Sequence, residues 1–247
     1  MLIGGLQKTT LIDFPGRVAC TVFTVGCNFR CPFCHNKDLV TLKNFKNNGL
    51  KQYMEAYFFR FLEKRKKILD GVCITGGEPT LQKDLANFCE KIKKLGLEVK
   101  IDTNGSNPEI LKYLVEKKLV DFFAMDIKTT FSDYKKVVGS NFKIENIKKS
   151  INIILQSGLE YEFRTTVVPK IHKAKTLVQL ARDLINQAKA IKYAKPSKIN
   201  LVLQNFRPQN CLDKKYLKVK PFSEKEMQNL LKLVKKVLIN TKLRGED

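Results

Sequence analysis

Three cysteines crowd one short stretch, Cys27-Asn28-Phe29-Arg30-Cys31-Pro32-Phe33-Cys34, with His35 and Asn36 directly after it. Thiolates are soft ligands that suit iron–sulfur clusters and zinc. Four-iron clusters are normally held by four cysteines. With three on one loop and no obvious fourth nearby, one metal keeps a vacant position for a small molecule, as catalytic zinc sites keep one for water or substrate. A disulfide framework fits poorly with seven cysteines, no secretory leader and ample length for a core. Zinc on Cys27, Cys31, Cys34 and His35 stays open. His35 adjoins Cys34, however, and zinc ligands usually come as two separated pairs.

The elements that must position this loop can be read from periodicity. Residues 17–26 are β-branched and apolar between Pro15-Gly16 and Gly26, which reads as a buried parallel strand with Cys20 as core filling. A polar linker runs through Asn47-Asn48-Gly49. Leu50 to about Leu69 carries Tyr53, Met54, Tyr57, Phe58, Phe61 and Leu62 at helical spacing, a core face. Strands are expected at Val72–Thr75, Val99–Thr103, Val120–Lys128, Tyr161–Val168 and Ile199–Leu203. Between and after them come helices from Pro79 or Thr80 to Leu95 (Leu81, Leu85, Phe88, Ile92 and Leu95 on one face), Pro108–Lys118, Asn141–Gly158, Thr176–Ala190 and Ser223–Leu243. Ser223 is the N-cap of the last, with Glu226 three residues on.

Strand and helix alternate about six times, which implies a parallel sheet with right-handed crossovers. Six units cannot close a full eight-stranded barrel. The expected fold is therefore α/β: an open, partial (β/α)6 TIM-like barrel. It is read as one domain over 1–247, with a core of about 17–208 and a C-terminal helix at about 223–243. The length of 247 residues fits one such unit, since α/β barrels of about 200–250 residues are routinely single.

Position singles out the polar residues. The cysteine loop, Gly76-Gly77-Glu78-Pro79, Asp102-Thr103-Asn104, Asp126 with Lys128, Arg164 and Gln204 all fall at or near C-terminal strand ends. That edge is where parallel α/β folds bind ligands. Singly, each reads as a turn or a cap. His172, just past Pro169, reads as a surface loop residue, and Asn36 as a local hydrogen-bonding group.

The cysteine spacing, with aromatic Phe33 before the last cysteine, resembles the signature of the radical S-adenosylmethionine enzymes. Leu11-Ile12-Asp13-Phe14-Pro15-Gly16, Thr75-Gly76-Gly77-Glu78-Pro79-Thr80 and Gln204-Asn205-Phe206-Arg207-Pro208 extend the likeness from about Leu6 to Pro208. These strings are similar to the anaerobic ribonucleoside-triphosphate reductase activating proteins, a family of glycyl-radical enzyme activases. The resemblance implies a [4Fe-4S] cluster on Cys27, Cys31 and Cys34 that chelates S-adenosyl-L-methionine at its open iron. It places Phe33 against the adenine, Gly76, Gly77 and Glu78 around the methionine ammonium, and Asp102, Thr103, Asp126, Lys128 and Arg164 around the ribose and carboxylate, with room for a monovalent cation. Gln204 stands where the pyruvate formate-lyase branch tends to have histidine. One electron, from a flavodoxin- or ferredoxin-type donor, would split the cosubstrate. The resulting radical would take a hydrogen atom from a backbone glycine of the partner, anaerobic ribonucleotide reductase. No side chain is assigned proton transfer. Pyruvate formate-lyase or a small molecule such as a deazapurine precursor are the alternative targets.

The formal charge of +22 is mostly lysine spread over nearly every expected helix, beside many Asn, Ile and Phe residues. Arginine, the better reader of phosphates and bases, is scarce. A solvated lysine coat explains this, with attraction of an acidic partner protein as the next use. A zinc-holding nucleic-acid-binding module is the reading from another class, and it predicts steeply salt-dependent binding. No apolar run reaches the ~18–20 residues that span a bilayer. Free cysteines without a leader point to a reducing cytoplasm.

Overall fold

The computed structural model describes residues 1–49, 52–139, 142–193 and 195–244. The chain divides into two compact units. One comprises Met1–Asn28, Asn36–Thr103 and Glu109–Ala124; the other comprises Phe29–His35, Asn104–Pro108 and Met125–Asp247.

In the first unit, β1 (Ile3–Thr10) runs antiparallel to β2 (Ala19–Thr24), from Ile3 opposite Thr24 to Thr10 opposite Ala19, with register shifts between Ile3 and Gly5 and between Gln7 and Thr10. β2 is the expected buried apolar strand. The stretch after the cysteine loop is not the expected linker. It folds into α1 (Leu42–Asn47), whose N-cap Thr41 accepts from the Asn44 N–H at 3.0 Å and whose Phe45 packs with Val25 and Leu39. α2 spans Glu55–Arg65, shorter than expected; Leu50 and Lys51 lie outside the described residues. Then come β3 (Gly71–Gly76), a 3-10 turn over Pro79–Leu81, α3 (Leu85–Lys94), β4 (Glu98–Thr103) and α4 (Pro108–Glu116). β2, β3 and β4 pair in parallel, with Thr24 opposite Gly76 and Ile74 opposite Ile101.

β5 (Phe122–Asp126) begins in the first unit and ends in the second. The second unit continues with α5 (Tyr134–Val138), α6 (Ile144–Gln156), β6 (Glu160–Val167), α7 (Ala174–Ala190), β7 (Leu201–Asn205), α8 (Glu224–Lys235) and β8 (Thr241–Leu243). β6, β7 and β8 are parallel neighbours. The strands follow one another in the sheet in chain order, from β1 to β8. The class is α/β with a mostly parallel sheet, as expected. The additions are the antiparallel β1 and the short β8, which replaces the last turns expected of the C-terminal helix. That helix starts as the sequence indicates, with a complete capping box between Ser223 and Glu226. Asn141, the expected start of α6, lies outside the described residues.

Three expected core positions are wrong. Met54 is 72% exposed and Tyr57 is 40% exposed, because α2 begins only at Glu55 and turns Phe58 and Leu62 inward instead. Leu81, expected on the buried face of α3, sits in the 3-10 turn and is exposed. Phe58 stacks on Phe88 of α3, with ring centroids 5.2 Å apart and planes 15° apart. Truncating a fully buried aromatic costs about 3–5 kcal/mol. Phe58→Ala is therefore expected to cost that much in urea unfolding, and Met54→Ala to stay within about 0.5 kcal/mol.

Candidate functional site

In the first unit, β2 and β3 end side by side, and two residues there have no room for a side chain. Gly76 has φ +109°, and a Cβ on it would lie 2.4 Å from the Thr24 nitrogen. A Cβ on Gly77 would lie 2.2 Å from the Gly26 carbonyl oxygen. The backbone uses this closeness: Gly77 N–H donates to Thr24 O at 2.8 Å, and Glu78 N–H to Gly26 O at 2.7 Å. The Glu78 carboxylate turns inward. It is buried and accepts from Thr80 Oγ1 at 2.6 Å and from Thr103 Oγ1 of β4 at 2.7 Å. Asn36 reaches much farther than a local bond, donating to the Gly76 carbonyl at 2.9 Å. Asp102 forms an ion pair with Lys100, an ammonium that is fully buried and lies 5.7 Å from the Phe122 ring centre.

In the second unit, Asp126 gathers two cations. Lys128 Nζ and Arg164 Nε each lie 2.9 Å from its carboxylate. Burial would push the Asp126 carboxyl up, but Arg164 and Lys128 outweigh it and hold the group well below the usual carboxylate range. Burial would likewise pull Lys128 down, but Asp126, and then Cys31, hold it above the usual lysine range. Arg164 also lies 3.9 Å from Glu162, which accepts from Arg244 at 2.6 Å. Lys128, Arg164 and Arg244 thus alternate with the carboxylates of Asp126 and Glu162 in one cluster.

His172 corrects the expectation of a surface loop residue: it is fully buried. Its Nδ1 accepts from the Val168 N–H at 2.9 Å, and its Nε2 donates to the Lys128 carbonyl at 2.9 Å. The neutral ring thereby ties the turn after β6 to Lys128. Burial pushes its pKa down to about 4. Sequence could not reveal this, since a lone histidine after a proline carries no periodic signal.

None of the three loop cysteines is in a disulfide. Cys27 lies next to the end of the first unit's opening segment, half-buried, with its N–H donating to Val40 O at 2.9 Å. Cys31 and Cys34 belong to the second unit, where Cys34 N–H donates to Cys31 O at 3.1 Å and the buried rings of Phe29 and Phe33 anchor the loop. As placed, no three His, Cys, Asp or Glu side chains among the described residues form a group that could hold a metal ion. The donor chemistry nonetheless fits a cluster. Three thiols come from one eight-residue loop, and the Lys128 ammonium interacts with Cys31. Cys20 and Cys89, by contrast, are sealed in the core, and burial pushes both thiols up to about 12. Zinc would need His35, whose Nε2 instead donates to the Arg207 carbonyl at 2.8 Å. Among the described residues no helix is long and apolar enough to cross a membrane.

Residues 21–184 match the Radical SAM superfamily. A Methanocaldococcus jannaschii protein with the provisional name of glycyl-radical enzyme activating enzyme is 32% identical over 252 residues, covering 98% of this chain and 95% of that protein. The pyruvate formate-lyase-activating enzyme of Clostridium pasteurianum is 25% identical over 243 residues, covering 96% and 98%. The fold is shared with SuiB of Streptococcus suis, solved with its precursor peptide SuiA. The TM-score is 0.66 at 16% identity, over 91% of this chain and 48% of that one.

His172 makes stability pH-dependent in a stated direction. The folded ring stays neutral down to about 4, whereas the unfolded ring takes its proton near 6.5, so acid favours the unfolded chain between those values. Urea unfolding of the wild type should lose stability as pH falls through that window. His172→Gln, with no group that titrates there, should lack this part of the slope.

Proposed function

Because the chain belongs to the radical S-adenosylmethionine superfamily, we propose that it is a glycyl-radical enzyme activase, with anaerobic ribonucleoside-triphosphate reductase as its partner. The observation that carries the activase reading is the end-to-end likeness to a glycyl-radical enzyme activating enzyme. The reductase is chosen on the strings Leu11–Gly16 and Gln204–Pro208. When bound, a [4Fe-4S] cluster would supply one-electron reduction of S-adenosylmethionine, the chemistry that would let the protein take a hydrogen atom from the partner's glycine.

Cys27, Cys31 and Cys34 would hold the cluster. Gly76 and Gly77 let backbone approach the methionine ammonium where a side chain would block it. Glu78 positions that turn through Thr80 and Thr103 rather than by an exposed carboxylate. Lys128 and Arg164 would present cationic donors to the methionine carboxylate, and Phe33 would lie against the adenine. At Asp102 the Lys100 ammonium supplies the charge that a monovalent cation would otherwise bring. A flavodoxin- or ferredoxin-type donor would deliver the electron, in a reducing cytoplasm that keeps these thiols free.

Activation of pyruvate formate-lyase is the second reading, favoured by the full-length likeness to its activating enzyme from Clostridium pasteurianum. Anaerobically reconstituted protein is expected to carry iron with acid-labile sulfide and to form 5′-deoxyadenosine when reduced with S-adenosylmethionine. Cys27→Ala, Cys31→Ala and Cys34→Ala should each abolish that product, and Cys89→Ala should leave it intact. Equal loss from Cys89→Ala would show the ligand set to be wrong. Mixing with each partner under electron paramagnetic resonance separates the targets. A glycyl signal on the reductase supports the first reading, and one on pyruvate formate-lyase alone supports the second.

A further inference from the structure

The chain that the Gln204–Pro208 string opens clasps the cysteine loop. Within the second unit, the segment from Phe206 to Tyr216 meets three residues of that loop by five contacts. Asp213 N–H donates to Pro32 O at 2.9 Å. His35 Nε2–H donates to Arg207 O at 2.8 Å, and Asn210 Nδ2 donates back to His35 O at 2.8 Å. The His35 ring stacks on Phe206, centroids 5.7 Å apart and planes 24° apart. Phe33 lies 6.4 Å from Tyr216, whose ring also meets Phe206 edge-on at 6.5 Å.

The segment is shaped for this job. Phe206 is fully buried and Cys211 nearly so. Gln209 N–H donates to Arg207 O at 2.8 Å, and Asn210 has φ 51°, the left-handed conformation that asparagine tolerates better than most residues. That tight fold turns the Asn210 amide toward His35.

We propose that Phe206–Tyr216 is a strap that positions the cysteine loop, with His35 as its central positioning residue. It fixes the backbone on both sides of Cys34 from a separate, rigid strand end, so that Cys31 and Cys34 are held ready before any cluster binds. Outer contacts of this kind set the orientation of the ligands themselves and govern how tightly a metal is kept. His35 contributes through its shape and its Nε2–H, not through ligation. In its consequence for metal retention the proposal rests on the cluster reading above. In its claim about the loop it does not.

The test uses the full chain in two forms. In cluster-free protein, His35→Ala and Phe206→Leu should speed hydrogen exchange in the peptide covering 29–35 by about tenfold, while α7 and α8 exchange as before. In reconstituted protein the same variants should release iron to a chelator several-fold faster. His35→Gln, which keeps a donor for the Arg207 carbonyl, should recover most of both effects. Asn210→Ala serves where His35→Ala does not fold. Unchanged exchange at 29–35 in all three loosening variants overturns the strap, and so does faster exchange spread evenly over the chain. Wild-type protein that takes up no iron sinks the cluster reading alone, because the exchange measurement still decides the strap.

Discussion

The first unit depends on two residues having nothing beyond Cα. With a methyl group at Gly77, the turn after β3 would collide with the Gly26 carbonyl, 2.2 Å away, and neither backbone could give way cheaply. Because the side chains are missing, the two strand ends meet backbone to backbone, and Glu78 N–H bonds directly to Gly26 just before Cys27. From that seam the rest follows by reach. Glu78 turns inward to Thr103 on β4, and Asn36, returning from the cysteine loop, takes the Gly76 carbonyl. The start of the cysteine loop is thus fixed by the same contact that shapes the glycine turn.

Electrostatics organise the second unit. An isolated buried carboxylate or ammonium is costly, and what makes Asp126, Lys128, Arg164 and Glu162 tolerable is their mutual pairing. Removing Asp126 would leave two cations facing each other, so the carboxylate is structural. His172 adds rigidity without adding charge. Its depressed pKa keeps it neutral, so it can grip the Lys128 carbonyl without repelling the nearby ammonium.

Much of this was legible in the chain. Parallel strands buried on both faces are continuous apolar runs, so β2 to β7 announced themselves. The polar residues that interrupt or follow those runs, from the glycine pair to Arg164, lie near the strand ends where the pattern put them. What escaped detection had no pattern to betray it. β1 contains two glycines and is half exposed, and β8 has only three residues, so neither shows a strand's periodicity. Met54 kept helical spacing but lies outside α2, since periodicity does not mark a helix start. The burial of His172 and Lys100 and the contacts of Phe206–Tyr216 with the cysteine loop are tertiary facts. A buried lysine reads as a surface lysine in a chain this basic until its aspartate is seen beside it. The strap residues contact the loop from about 170 positions away, as in the 172-residue separation of the His35–Arg207 bond.

The central claim is that a three-thiolate cluster leaves one iron for the cosubstrate itself. The direct measurement is electron–nuclear double resonance on the reduced, reconstituted protein with S-adenosylmethionine labelled at its methionine amino nitrogen. A hyperfine coupling from that nitrogen to the cluster is the predicted result. A cluster that is present and reducible yet shows no such coupling would contradict the account.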